Sequence, residues 1–215
     1  SAWAALKAAV ENDNPNTAAR IIIIDGEIKA PNGAEKIEVK RTVTIKGTSY
    51  ISDKLNADNK TFIFHVWSSG DLTLKKLTLQ NGNNPTTGGV DGGGAIYCAG
   101  GKLTADDVLI ENCKAKYGGG ICIGTDANTN DNTGTVTMSG GEVSNNTVSE
   151  KSGGGVAVLH GTFTMSNGKV SGNTAKETGG GIYGMNFNSA KGEITVSGGE
   201  ISGNTANIAG TLAGG

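Results

Sequence analysis

The sequence predicts an all-β chain wound into a right-handed parallel β-helix, a solenoid, with a short helix capping its N-terminal end. Three observations predict it. The first is an internal repeat. GTVTMSGGEVSNNT begins at Gly134, GTFTMSNGKVSGNTA at Gly161 and GEITVSGGEISGNTA at Gly192, and looser copies begin at Gly70 and Gly101. The starting glycines lie 31, 33, 27 and 31 residues apart, a period that points to one structural unit stacked on the next. The second is a period of two inside each copy. The third and fifth residues are apolar (Leu72/Leu74, Leu103/Ala105, Val136/Met138, Phe163/Met165, Ile194/Val196), and between them always stands a threonine: Thr73, Thr104, Thr137, Thr164, Thr195. That is a short strand with one apolar and one polar face. The third is the spacing between strands: bends of Ser-Gly-Gly, Ser-Asn-Gly or Gly-Asn-Thr, with no helical pattern between them. A propeller blade needs four strands in roughly 40–50 residues, more than these repeats hold.

Residues 1–14 (SAWAALKAAV, then ENDN) read as the cap. Trp3, Leu6 and Val10 share one helical face that can cover the unpaired edge of the first coil. Residues 20–69 read as irregular first rungs. The β-branched run Arg20–Asp25 predicts a buried strand, IEVKRTVTIKG predicts strands at Ile37–Val39 and Val43–Lys46, and Thr61–Trp67 predicts another. Residues 70–215 are the glycine- and asparagine-rich repeats. The tenth residue of each copy is again apolar and inward: Leu79, Ile110, Val143, Val170, Ile201. The ninth faces out and reads Thr78, Leu109, Glu142, Lys169, Glu200, its last three alternating in sign as neighbouring strands prefer. Asn146, Asn173 and Asn204 fall in register at the bend, where stacked amides can bond each other and the turn backbone. Each copy ends in a tetrapeptide such as GGGV at Gly153–Val156, whose glycines allow tight turning. The whole is one elongated domain of about six or seven rungs, expected to be a fragment of a longer chain.

The chain has 215 residues with a net charge of −2, so no electrostatic case for nucleic acid or anionic membranes exists. There is no apolar run of 18 residues to span a membrane. Glycine, at 36 residues without a three-residue period, is not collagen-like. Cys98, Cys113 and Cys122 are odd in number. A bridge between Cys98 and Cys122 on successive rungs is conceivable; small buried apolar side chains are the simpler reading.

The opening order of helix, Ile-rich strand and TVTIKG resembles pectate-lyase-like β-helix proteins. The tetrapeptides at Gly93–Ile96, Gly118–Ile121, Gly153–Val156 and Gly179–Ile182, each with an upstream Asn, resemble the GGA-[Ile/Leu/Val] and Phe-x-x-Asn repeats of chlamydial polymorphic outer membrane proteins. Here Val143, Val170 or Ile201 replaces the Phe, and Gly mostly replaces the Ala. The resemblance implies a bacterial adhesin or interaction scaffold, extracellular or on the cell surface (outer membrane), with a membrane-anchored parent and a host or environmental glycan or protein as ligand.

The rival class is a carbohydrate-active enzyme on the same fold, since fold alone licenses no activity. A lyase of that type needs a basic residue, usually Arg, beside calcium ligands, yet the only arginines are Arg20 and Arg41. A hydrolase needs clustered carboxylates. The candidates are Asp106, Asp107 and His160, but Lys75 and Lys76 stack over the two aspartates by register, so an ion-paired ladder explains them better. Asp126–Asp131 has calcium-loop spacing but lacks the Gly at the sixth position and the Glu at the twelfth, here Thr137. No cofactor is expected. Thr135/Thr137 and Thr162/Thr164 resemble an ice-binding array, which Asp71, Lys102 and Glu193 interrupt. Contact surfaces are therefore expected in the insertions Gly82–Gly92, Gly124–Thr133 and Gly184–Lys191. The last two flank the short crossing Leu159-His160-Gly161. They predict a notch in which His160 and Phe187 offer contacts, with Asn128 and Asp131 on the rim.

Overall fold

The computed structural model describes residues 1–12, 20–84, 92–125, 133–187 and 190–207, with the main chain alone at 187 and 190. It is an all-β parallel solenoid of about 5 turns with one short N-terminal helix. The strands of successive turns stack into sheets. The first sheet holds Arg20–Ile23, Thr42–Lys46, Asp71–Lys75, Lys102–Asp106, Gly134–Met138, Gly161–Met165 and Ala190–Val196, all parallel and in rung order. The second runs from Glu27–Lys29 to Glu200–Ser202 in 7 strands, and the third from Ile37–Val39 to Ile182–Gly184 in 6. A fourth, of 4 strands, begins only at Lys114–Ala115. The rungs expected from the sequence are these stacked strands; among the described residues the fourth side has no strand before Lys114–Ala115, only the single parallel bridge of Asn83 to Lys114.

The register follows the repeat. Gly134, Gly161 and Gly192 lie over one another, and so do Val136, Phe163 and Ile194. The threonine column runs Thr44, Thr73, Thr104, Thr137, Thr164, Thr195, one rung longer than the repeats alone indicate. The alternate apolar residues fill the coil: Leu72, Leu74, Leu103, Val136, Phe163, Met165 and Val170 are all fully buried. The bend is held by the asparagine ladder. Asn146 and Asn173 are fully buried. The main-chain N–H and side-chain Nδ2 of Asn146 both donate to Asn173 Oδ1 at 3.0 Å. Those of Asn173 donate to Asn204 Oδ1 at 3.0 and 2.9 Å. Just before each ladder residue the backbone is left-handed (Asn145 φ 55, Gly172 φ 62, Gly203 φ 63), as it is one turn earlier at Asn112 (φ 56), before Cys113, whose main-chain N–H donates to Asn146 Oδ1, so only Asn and Gly appear there. The first glycine of each intact tetrapeptide is also left-handed, with Gly153 at φ 75 and Gly179 at φ 61.

Helix α1 spans Ala2–Glu11, with Ser1 Oγ accepting from the Ala4 N–H at its start. Trp3, Leu6 and Val10 are buried on the first coil. The helix also satisfies the coil's edge: Glu11 Oε1 accepts from the Glu38 main-chain N–H at 2.7 Å, and Trp3 Nε1 donates to the Glu35 carbonyl at 3.1 Å.

Three expectations need correction. The Ile-rich strand Arg20–Ile23 is not buried on both faces. Ile24 lies inside, but Ile21 and Ile23 are 63% and 64% exposed, because alternate residues point outward and no described element covers them. The strand expected over Thr61–Trp67 is shorter, Phe64–Trp67. Thr78 is not on an open face: the segment before Asp53 folds over it, and Thr78 Oγ1 donates to the Tyr50 carbonyl at 2.6 Å. The cysteines, by contrast, are the small buried side chains that the simpler reading expects, and Cys98 and Cys122 form no bridge. Cys122 pairs with Tyr97 and Cys98 with Ile123, so the two thiols point to opposite faces of the third sheet. None of the three cysteines is in a disulfide, and all three are buried.

Candidate functional site

The third sheet turns into the first at a corner crossed once per turn. In the turn ending at Gly161 the crossing is short. The Leu159 and His160 N–H groups both donate to the Ile123 carbonyl of the turn before, at 2.9 and 3.2 Å. Gly161 follows at φ 132, and a Cβ there would lie 2.1 Å from the Gly134 carbonyl oxygen, so the backbone can pack this closely only without a side chain. The next crossing is long. Asn186–Phe187 folds back antiparallel on the start of Ala190–Val196, pairing Asn186 with Lys191 and Phe187 with Ala190. This small hairpin extends the last first-sheet strand two residues ahead of Gly192 and carries Lys191 to the corner.

The result is a surface cavity of about 330 Å³, lined by Thr133, Thr135, His160, Thr162, Lys191 and Glu193 over the stacked Gly134 and Gly161. Thr135, Thr162 and Glu193 are successive members of one outward column. His160 Nδ1 is buried with no hydrogen-bond partner among the described residues. The cavity thus offers three hydroxyls, one imidazole, one ammonium and one carboxylate, a lining able to bind a small polar molecule by directed hydrogen bonds. Of the residues expected at this notch, His160 lines it. Phe187 lies on the adjoining hairpin with its side chain outside the described atoms, and Asn128 and Asp131 lie outside the described residues. The calcium-loop candidate Asp126–Asp131 lies outside them too. Among the described residues, no three His, Cys, Asp or Glu side chains group to hold a metal.

Asp106, Asp107 and His160 do not converge. Asp106 ends its first-sheet strand and stacks on Ser139, whereas His160 precedes the start of its own strand. The two are separated by about six residues of strand, roughly 20 Å. Lys75 Nζ holds Asp106 Oδ2 at 3.1 Å, as the register predicts. Lys76 makes no such pair with Asp107, because both residues turn through left-handed conformations (φ 49 and 57). Asp107 instead lines a second cavity of about 240 Å³ with Tyr50, Leu109, Gly141 and Glu142. The sequence reading missed this groove, because Tyr50 reaches it from a loop of the irregular first coils that has no counterpart in the repeats.

The outer face of the third sheet carries the other unanticipated feature. Phe62, Tyr97, Ala99, Tyr117, Cys122 and Leu159 form a second buried apolar cluster outside the coil. Beside it His65 stacks on Trp67 at 4.0 Å between ring centroids and lies 5.0 Å from Tyr97, with Lys40 Nζ 5.6 Å from the Trp67 ring centre. Neither ring nitrogen of His65 has a partner among the described residues. Burial, only partly offset by the attraction of Glu38, lowers its pKa to about 4, which keeps the ring neutral.

No family model matches the sequence, and it matches no curated protein and no solved structure.

Proposed function

We propose that this chain is the display scaffold of a bacterial surface-exposed or secreted protein, an adhesin or interaction module, and that it holds a small glycan or peptide loop at the His160 corner. The repeats that resemble chlamydial polymorphic outer membrane proteins support the class and the extracellular or outer-membrane location. The observation that carries the site is the cavity itself: one short crossing beside a hairpin that sets Lys191 and Glu193 against His160 and two stacked threonines. At about 330 Å³ it lies at the small end of ligand pockets and suits one or two sugar rings. The hydroxyls, imidazole, ammonium and carboxylate match the mixed donors and acceptors of a saccharide. The test is binding of the labelled chain to an immobilised panel of mono- and disaccharides and to intact host cells. Wild type should retain a subset, and a His160→Ala/Lys191→Ala double variant with unchanged circular dichroism should lose at least tenfold in affinity. Undiminished binding by the double variant removes the corner from the account.

A second reading has one observation in its favour. Asp107 and Glu142 line the same groove beside Tyr50, and two carboxylates about a sugar-sized space are the parts of a glycosidase. Turnover of pectin, alginate or glycosaminoglycans that is abolished by Glu142→Gln would establish a carbohydrate-active enzyme instead.

A further inference from the structure

The groove beside Tyr50 is built where the first sheet bends into the second. Asp107 turns that corner at φ 57, and Val108 and Leu109 follow as the start of a second-sheet strand. One turn on, Gly141 pairs with Val108 and Glu142 with Leu109, while Gly140 lies over Asp107. Two glycines in succession leave no side chain above Asp107 and Val108, so the surface there is hollow. The opposite wall is Tyr50, on a loop pinned by Asp53. That residue is 1% exposed, and its carboxylate accepts from the Gly26, Thr48 and Ser49 N–H groups at 3.0, 2.6 and 3.1 Å. Thr78 Oγ1 holds the Tyr50 carbonyl, and Tyr50 itself is left 45% exposed.

The cavity is acidic and has no cation of its own. Elsewhere on the outer faces, lysines on neighbouring turns answer the carboxylates: Lys102 meets Asp71 at 3.8 Å, Lys75 meets Asp106 at 3.1 Å and Lys169 meets Glu200 at 3.8 Å. Here that pattern breaks twice. Lys169 is the register partner of both Glu142 and Glu200, and its Nζ lies against Glu200. Lys76 makes no pair with Asp107. Among the described residues neither groove carboxylate is ion-paired, and Glu142 accepts one bond, from Ser171 Oγ. The lining is therefore two unpaired carboxylates, one aromatic face and an apolar floor of Val108 and Leu109. This combination selects its guest. A lysine ammonium is compact and strongly hydrated. A guanidinium is planar and weakly hydrated, stacks on aromatic rings, and offers a fork of donors that can engage two carboxylates at once. A space of about 240 Å³ falls below the roughly 300–1,000 Å³ of small-molecule pockets and takes one long side chain.

We propose that the Tyr50 groove receives an arginine side chain from an extended segment of a partner protein. The guanidinium stacks on Tyr50 between Asp107 and Glu142, and the alkyl stem lies on Leu109. This contact is separate from the His160 corner and stands whether or not that corner binds a glycan. The probe is arginine capped as its N-acetyl methylamide, in which the side chain alone is charged. It is titrated into the isotope-labelled full chain and followed by nuclear magnetic resonance at the Leu109, Gly141 and Glu142 amides. Saturable shifts are expected there. The capped lysine analogue should bind about fivefold more weakly or worse, and capped citrulline, which keeps the shape and loses the charge, should not bind. Asp107→Asn keeps the left-handed turn, which asparagine accepts. Combined with Glu142→Gln it should abolish the shifts while the circular-dichroism spectrum is unchanged. Tyr50→Phe should bind as wild type, and Tyr50→Ala about threefold more weakly. Equal binding of arginine and lysine would show only a negative surface and overturns the proposal. So does undiminished binding by the double variant, or the absence of saturable shifts. Shifts at the same amides with neutral disaccharides, and none with arginine, would assign the groove to a sugar instead.

Discussion

Replacing Asn173 by Ala tests the ladder at its most buried point. The Asn173 side chain makes four bonds: it accepts from Asn146 N and Nδ2 at 3.0 Å each, and donates to Val143 O at 2.8 Å and Asn204 Oδ1 at 2.9 Å. Asn146 Nδ2 keeps its bond to the Ile110 carbonyl, and Asn204 Oδ1 keeps the Asn173 main-chain N–H. The Asn146 main-chain N–H keeps nothing, and the residue is fully buried. One orphaned buried donor costs about 1–3 kcal/mol, and the lost amide bonds add to it, so a total of roughly 3 kcal/mol is expected. For a chain of this length that is a fall of roughly 6–12 °C in melting temperature. The matched control is Asn145→Gly. Asn145 is exposed with φ 55, and glycine accepts that conformation, so the change should be within about 0.5 kcal/mol. Thermal unfolding followed by circular dichroism reads both. If Asn173→Ala melts within about 2 °C of its control, the ladder does not hold the bend.

The remaining expectations concern the core, pH and the thiols. Val170→Asp should unfold or break the coil, since it buries an unpaired carboxylate, while Thr164→Lys on the outward column should melt near wild type; equal melting temperatures would invert the assignment of faces. His65 binds its proton at about 4 in the folded chain against an unfolded value near 6.5. Between those values the unfolded chain therefore holds more protons, so stability should fall as pH drops from about 6.5 towards 4, by roughly 3 kcal/mol in all. His65→Leu should flatten the melting temperature between pH 6.5 and 4.5, and an unchanged slope there would assign the loss to other groups. Burial pushes the Cys98 and Cys113 thiols up to about 12, so a thiol reagent at pH 8 should label neither until denaturant is added; rapid labelling of the native chain would show those sites to be open.

The parts legible in the sequence were those the repeat states several times. Starting glycines, alternating apolar residues, the threonine column and the asparagine row each recur at a fixed offset, and stacking turns a recurring offset into a contact. The third sheet was legible only at its start, in Ile37–Val39 and Phe64–Trp67, and not in the strands that follow. Ile121–Ile123 and Val156–Val158 are buried on both faces, because the outer cluster around Tyr97 and Tyr117 covers the side where polar residues would otherwise alternate. The Tyr50 groove was hidden for a different reason: a loop of the irregular first coils folds over Thr78, and no repeat copy carries its counterpart. At the candidate site, the length contrast between crossings pointed to the corner at His160. That Lys191 and Glu193 line it depends on the hairpin pairing of Asn186 with Lys191, which no repeat copy encodes.

Both cavities exist only if the turns are stacked in parallel and in register. Nitroxide labels on cysteines introduced at Thr44 and Thr195 measure this most directly, because the native thiols are buried. The two positions are the ends of one column, joined through Thr73, Thr104, Thr137 and Thr164. Five rung spacings of roughly 4.8 Å put their backbones about 24 Å apart. Pulsed electron–electron resonance should return a single narrow distribution near that distance. A broad distribution, or one centred beyond about 35 Å, would contradict the stacked coil and everything built on it.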